Sequence, residues 1–333
     1  MTRSVGFPVK VADTLSALGE AHYQRREITE ALVCFLKAIE LGADPTTNAF
    51  ERWSSWMLLG NFERAWKESD QTGASFRGTL PVTGGRLLIR CLRGLGDAIQ
   101  FLRYARELRE HCDHLTVYAP SRLLPLCPFI SGIDEAISVD SPLNGSDYDY
   151  EMECSDLPYV FRTTQSTIPS GRGYLRSPVE RVSAGCDRLK IGIAWAAGSW
   201  NPGRSIPLDL FEPLTRIPGL ALYSLQRGPE AGQLRAFAHR EAVLDAESEA
   251  GDIVDTMAVV AKLDLVISVD TMVAHLAGAL GRPVWTLLPH AADWRWMLDR
   301  CDSPWYSSMR LLRQTSPGDW GGVVNRVTKR LLR

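Results

Sequence analysis

No C-x-x-C pair occurs among the seven cysteines, Cys34, Cys91, Cys112, Cys127, Cys154, Cys186 and Cys301. An odd, scattered set of this kind reads as reduced thiols of a cytoplasmic protein, packing as small apolar groups. No apolar run approaches the ~18 residues of a spanning helix, and the opening MTRSVGFPVKVADTLSALGE has no apolar centre of a secretory leader. Charge of neither sign is in excess. The 37 Lys and Arg against 39 Asp and Glu leave a net −2, which excludes a basic footprint for nucleic acid or an anionic membrane. Neither G-x-x-x-x-G-K-[ST] nor G-x-S-x-G is present, which removes the commonest kinase, ATPase and hydrolase readings. In GLGDAI the third glycine of a dinucleotide-binding turn is replaced by Ile99. The strand after it ends in Ala119-Pro120 without a ribose-binding acid. A nicotinamide dehydrogenase is thereby disfavoured.

What is present begins with helical periodicity. With 333 residues the chain exceeds one ordinary core, so two or three domains are expected. Between Leu15 and Leu41, small or apolar residues recur at helical spacing, and Ala31 and Ala65 stand 34 apart. That is the period of a tetratricopeptide repeat, with a degenerate second copy that has Trp53 where the first has Gly19. Residues 1–78 are expected to form a short all-α segment, either a cap on the next domain or a surface for a protein partner. TGASFRGTLPVTGG reads as the linker that follows.

From Gly85 onward, short β-rich runs alternate with amphipathic helices, the mark of parallel sheets with crossover helices. RLLIRCL, HLTVYAP, EAISV and YDYEMEC make a first series, and DAIQFLRYARELREHC a helix within it. LKIGIAWA, LALYSLQ, EAVLDA, LDLVISVD and PVWTLLP make a second, closed by the helix WGGVVNRVTKRLLR. The expected fold class is α/β, with two Rossmann-like domains at 79–184 and 185–333. Two such halves enclose a cleft, the usual place for a ligand.

Polar residues at the ends of these strands are the candidates for chemistry. Asp270 and Thr271 stand where a core strand turns into a core helix, whose first amides suit a phosphate, and His275 shares a helix face with Thr271. The plainer alternative makes Asp270 a helix cap and His275 a satisfied core residue. In AWAAGSWNPGRSIPL a Gly/Ser/Asn/Pro loop delivers one cation, Arg204, either to a diphosphate or to the surface. Asp97 opens the helix after RGLG, as a proton acceptor or as a plain cap. Asp147-Tyr148-Asp149 imitates a metal-binding pair but reads as strand-edge carboxylates, and no metal site is expected.

GLGDAIQFLRY, GIAWAAGSWNPGRSIPL, SLQRGPE, DLVISVDTMVAHLAGALGRPVWTLLP, DWRWMLDRCDSPWY and RQTSPGDWGGVV together resemble glycosyltransferase family 9. More closely, they resemble its bacterial branch with tetratricopeptide repeats ahead of the transferase. The likeness covers roughly residues 86–333 and is most specific at D-T-x-x-x-H. It implies a GT-B-like pair of Rossmann-like domains and metal-independent, inverting transfer from a nucleoside-diphosphate sugar, without further cofactor. The family's prototypes move heptose from ADP-heptose onto lipopolysaccharide core. By position, Asp97 matches the family's acceptor base. Asp270, Thr271, Met272 and His275 match the donor-binding segment, Arg204 the basic residue near the phosphates, and Gln226 the position meeting the nucleoside. Two departures stand out: NPGRSIPL is shorter than in the repeat-bearing branch, and the heptose-transferring prototypes lack DWRWMLD. Trp294 or Trp296 is expected to pack beneath the terminal helix, with stacking on a base as the alternative. The implied partners are a nucleotide sugar and a glycan, lipid-linked glycan or protein acceptor, met in the cytoplasm or at the inner membrane. A rival of another class is a catalytically silent scaffold that presents its repeats.

Overall fold

The computed structural model describes residues 6–72, 84–169, 173–177, 179, 188–198, 201–247 and 251–333, which fall into two compact units. The linker stretch 73–83 and much of 170–187 lie outside the described residues. Met1–Thr79, Pro158–Ile168 and Ala291–Arg300 make the first unit, and Leu80–Leu157, Pro169–His290 and Cys301–Arg333 the second.

The first unit carries α1 (Gly6–Gln24), α2 (Ile28–Glu40), α3 (Ala49–Leu58) and α4 (Phe62–Thr72), with α1 packed on α2 and α3 on α4. Small residues set the first crossing. A Cβ on Gly19 would lie 2.6 Å from the Phe35 ring, and Ala31 and Ala65 are fully buried. Trp53, the counterpart of Gly19, instead meets Trp294 edge to face at 5.3 Å. The tryptophan-rich segment therefore packs on α3 within this unit, which corrects the expectation of a place beneath the terminal helix. The Trp66 indole donates to the Thr163 carbonyl at 2.7 Å, and Arg162 pairs with Asp70, so 158–168 also belongs here. The buried Arg52–Glu68 pair (2.8 Å) is satisfied further by the Thr47 and Pro45 carbonyls, as a desolvated charge requires.

The second unit holds two all-parallel sheets. The first comprises β1 (Arg86–Arg90), β2 (His114–Ala119), β3 (Glu135–Ser138) and β4 (Tyr150–Glu153), in the order β3-β2-β1-β4. Asp149 accepts from the Arg86 amide at 2.8 Å and Asp147 from Asn144 at 2.9 Å, so this pair of carboxylates closes the mouth of the strands. Between β1 and β2, the long helix read from the sequence is instead α5 (Leu95–Phe101), one tight turn at 102–104, and α6 (Ala105–Arg109).

The second sheet comprises β5 (Leu189–Ala194), β6 (Leu220–Ser224), β7 (Val243–Asp245), β8 (Leu265–Val269), β9 (Val284–Leu288) and β10 (Met309–Arg313). Its order, β10-β9-β8-β5-β6-β7, is that of a doubly wound dinucleotide-type sheet. Every residue of β8 is buried, the continuous apolar reading of a strand covered on both faces. The labelled helices after α6 are α7 (Ile253–Lys262), α8 (Met272–Ala279) and α9 (Trp320–Leu331). Asp252 begins α7 with a reciprocal capping box to Asp255, and Gly281 at φ +68° lets the chain turn after α8.

Candidate donor site

Strand order locates the site. In the second sheet the winding reverses between β5 and β8, and in the first between β1 and β4. Open α/β sheets bind ligands outside the carboxyl ends of strands at such a reversal. The loop after β5 carries Arg204, the turn after β8 carries Asp270 and Thr271, and the turn after β1 leads to Asp97.

Arg204 is not a surface cation. Its side chain is 14% exposed, and Nη1 donates to the Asp270 carbonyl at 3.0 Å and stands 3.8 Å from the Asp270 carboxylate. Nor is Asp270 the cap of α8. Thr271 holds that position in extended backbone, without a side-chain cap bond. The buried Asp270 carboxylate lies between Arg204 and His275, whose Nε2 is 3.7 Å away. His275 has the 2% exposure of a core residue, yet both ring nitrogens face polar groups, Nδ1 meeting the Tyr306 hydroxyl at 2.9 Å. Thr271 and Met272, at the start of α8, are half-buried.

Gln226, 5% exposed after β6, spends its amide on the scaffold. Its Oε1 accepts from the Trp195 and Ala196 amides (3.0 and 2.8 Å), while Nε2 donates to the Ala196 and Arg227 carbonyls. It thus fixes the floor beside the Arg204 loop. The Ala197 amide reaches Ser205 Oγ at 3.1 Å and closes the same loop from the other side.

Asp97 is the third residue of α5. Its carboxylate accepts from the Gly94 amide at 3.2 Å, so capping is part of its work. One residue earlier the two halves touch. A Cβ on Gly96 would lie 2.8 Å from His275 Cδ2, closer than real Cβ contacts come. Only glycine lets α5 reach His275 so closely. Residues the sequence reading missed complete the surroundings: Tyr306 on His275, and Arg103 and Tyr174 behind it. Their polar contacts join positions 31 to 75 residues apart, beyond the reach of any local spacing rule.

At the end of β4, burial raises the Glu153 and Asp156 carboxyls, with Arg93 opposing in both cases. A carboxyl raised by burial loses stability as pH climbs from its unfolded to its folded value, and the full cost persists above both. Asp156→Asn is therefore expected to melt higher than the wild type at pH ~7 and together with it at pH ~3. Matched calorimetric scans at the two pH values check this. Equal melting temperatures at both would contradict the burial cost.

Two parallel-stranded halves with a polar constellation at their strand reversals define a GT-B-type protein. Residues 252–309 match the model of glycosyltransferase family 9 (heptosyltransferase), the stretch that contains Asp270, Thr271 and His275. The structure is similar to the glycosyl transferase family 9 protein of Veillonella parvula, with a TM-score of 0.55 and 14% identity over 76% of this chain and 97% of that one. It is similar also to the ADP-heptose lps heptosyltransferase II of E. coli, with a TM-score of 0.52 and 14% identity over 74% of this chain and 100% of that one. Protein FlbA of Caulobacter vibrioides is 27% identical over 291 residues, 74% of this chain and 46% of that protein. The chain thus spans about half the length of this curated relative. Over residues 252–309 the chain is thus similar to glycosyltransferase family 9.

Proposed function

We propose that the protein transfers a sugar from a nucleoside-diphosphate sugar to an acceptor hydroxyl, with inversion and without a metal ion. The observation that supports this reading is the close approach of Gly96, the residue before Asp97, to His275. The diphosphate would lie against the first amides of α8 and Arg204. As the bond from the anomeric carbon to the phosphate oxygen breaks, negative charge grows on the leaving group, and the Arg204 guanidinium and the Thr271 and Met272 amides stabilise it. Asp97 takes the proton of the acceptor hydroxyl as its oxygen bonds to the anomeric carbon on the opposite face. His275 and Asp270 bind and orient the donor, and Gln226 shapes the nucleoside side of the crevice. The E. coli protein's ADP-heptose makes an ADP-linked sugar the first donor to test. The acceptor is a glycan, a lipid-linked glycan or a protein.

Native mass spectrometry against a panel of nucleotide sugars tests the reading. One ADP-, UDP- or GDP-linked sugar should bind at a single site in metal-free buffer. Retention of none, or retention only with magnesium, would overturn it. Nucleoside diphosphate should likewise raise the melting temperature in the absence of metal. Ligand at a hundredfold excess over Kd stabilises by about 2.7 kcal/mol.

A further inference from the structure

Glu247 follows β7, the edge strand of the second sheet, and its side chain is only 4% exposed. One of its oxygens is held firmly. Oε2 accepts from the Thr256 hydroxyl of α7 at 2.8 Å and lies 3.3 Å from Nη1 of Arg227, in the loop after β6. Nη1 in turn donates to Thr256 Oγ1 at 2.9 Å and to the Asp252 carbonyl at 2.8 Å. The other oxygen, Oε1, is buried and has no hydrogen-bond partner. Burial raises this carboxyl, and Thr256 and Arg227 offset that only in part. A buried carboxylate oxygen without a donor costs stability, and an apolar side chain would fill the space at lower cost. The charge calls for a reason.

Strand order supplies one. The diphosphate is placed above at the reversal between β5 and β8. In the other direction along the carboxyl edge come β6 and then β7, each ~4.8 Å further on. In a dinucleotide-type sheet the ribose is met after the second strand, here β6, where Gln226 stands. Glu247 lies one strand beyond, at the place of the base. An ionised carboxylate only accepts hydrogen bonds, so it must meet an N–H there. Adenine and cytosine offer an exocyclic amine where hypoxanthine and uracil offer a carbonyl. Guanine presents two neighbouring N–H groups that call for both carboxylate oxygens, and Oε2 is already taken. A single free acceptor fits the lone amine.

We propose that Glu247 is a specificity-determining residue for the base of the donor. Its Oε1 accepts from the exocyclic amine of adenine or cytosine and repels a carbonyl at that position. The assignment rests on the function proposed above, since only a nucleotide bound at the β5–β8 reversal would bring its base to β7.

Calorimetric titration of the full chain in metal-free buffer tests it with two pairs of nucleotides, ADP against inosine diphosphate and CDP against UDP. The members of each pair differ in the exocyclic group and the ring proton that goes with it. At least one amine-bearing nucleotide should bind about tenfold or more tightly than its partner, the effect of a hydrogen bond to a charged group. Glu247→Gln keeps the shape. Its carbonyl oxygen can replace Oε2, and its amide can donate to a base carbonyl. The preference should therefore be lost or reversed in the folded variant, whereas a merely structural Glu247 would weaken both members of a pair alike. The wild-type comparison decides by itself if the variant does not fold. Equal affinities within both pairs, tighter binding of GDP than of all four, or an unchanged preference in folded Glu247→Gln would overturn the base assignment and leave the diphosphate site standing. Binding of no nucleotide at all would sink the base assignment and the donor reading together.

Discussion

Asp97→Asn is expected to lower sugar transfer by roughly 10²–10⁴-fold while leaving donor affinity and melting temperature nearly unchanged. The carboxylate has two tasks in the structure. It accepts from the Gly94 amide at the start of α5, and in the proposed mechanism it takes the acceptor proton. Asparagine keeps the shape, and its carbonyl oxygen still accepts from the Gly94 amide, so the cap survives. It cannot serve as a base at neutral pH. A role limited to capping and a role in proton transfer therefore give opposite results from one substitution. Melting temperature, donor binding and rate should be measured on one preparation. Equal rates for the wild type and Asp97→Asn would remove Asp97 as the base.

The second large effect is expected at Arg204. Arg204→Ala should cost roughly 10²–10³-fold, chiefly in kcat, because the charge it meets grows as the glycosidic bond breaks. Two features sharpen the expectation. The side chain is 14% exposed, so solvent screens it less than a surface cation, and its hydrogen bond to the Asp270 carbonyl fixes its position before any ligand arrives. Arg204→Lys keeps the charge but loses the planar fork, and should recover part of the rate. Steady-state kinetics with the donor found by mass spectrometry checks both variants. A full rate in Arg204→Ala would show that the leaving group is stabilised elsewhere.

Much of this was legible in the sequence, and the reasons are physical. The strand β8 is a continuous apolar run, because a parallel strand at the centre of a sheet is buried on both faces, and Asp270 stands out at its end. Gly281 and Pro283 mark the end of α8 in the sequence, and Gly281 takes φ +68° there. Other features were not legible. The helix after β1 reads as one amphipathic run, yet it breaks at 102–104, where Phe101 and Arg103 meet Trp305. In the sequence, Trp294 and Trp296 read as packing beneath the terminal helix. Instead Trp294 packs against Trp53, more than 200 residues earlier. Thr271, not Asp270, caps α8, and Gln226 gives its amide to four backbone groups. Contacts of this kind depend on tertiary neighbours, which neither periodicity nor spacing contains.

The central claim is that a sugar nucleotide's diphosphate is held where Asp270, Thr271 and His275 meet Arg204. Calorimetric titration of ADP into the wild-type protein and into His275→Ala, in metal-free buffer, tests it most directly. Saturable one-to-one binding is expected for the wild type, weakened about tenfold or more in the variant, which corresponds to at least ~1.4 kcal/mol, with both proteins folded by calorimetric scan. Equal affinity in the two proteins, or no heat of binding with ADP, UDP or GDP, would contradict the claim.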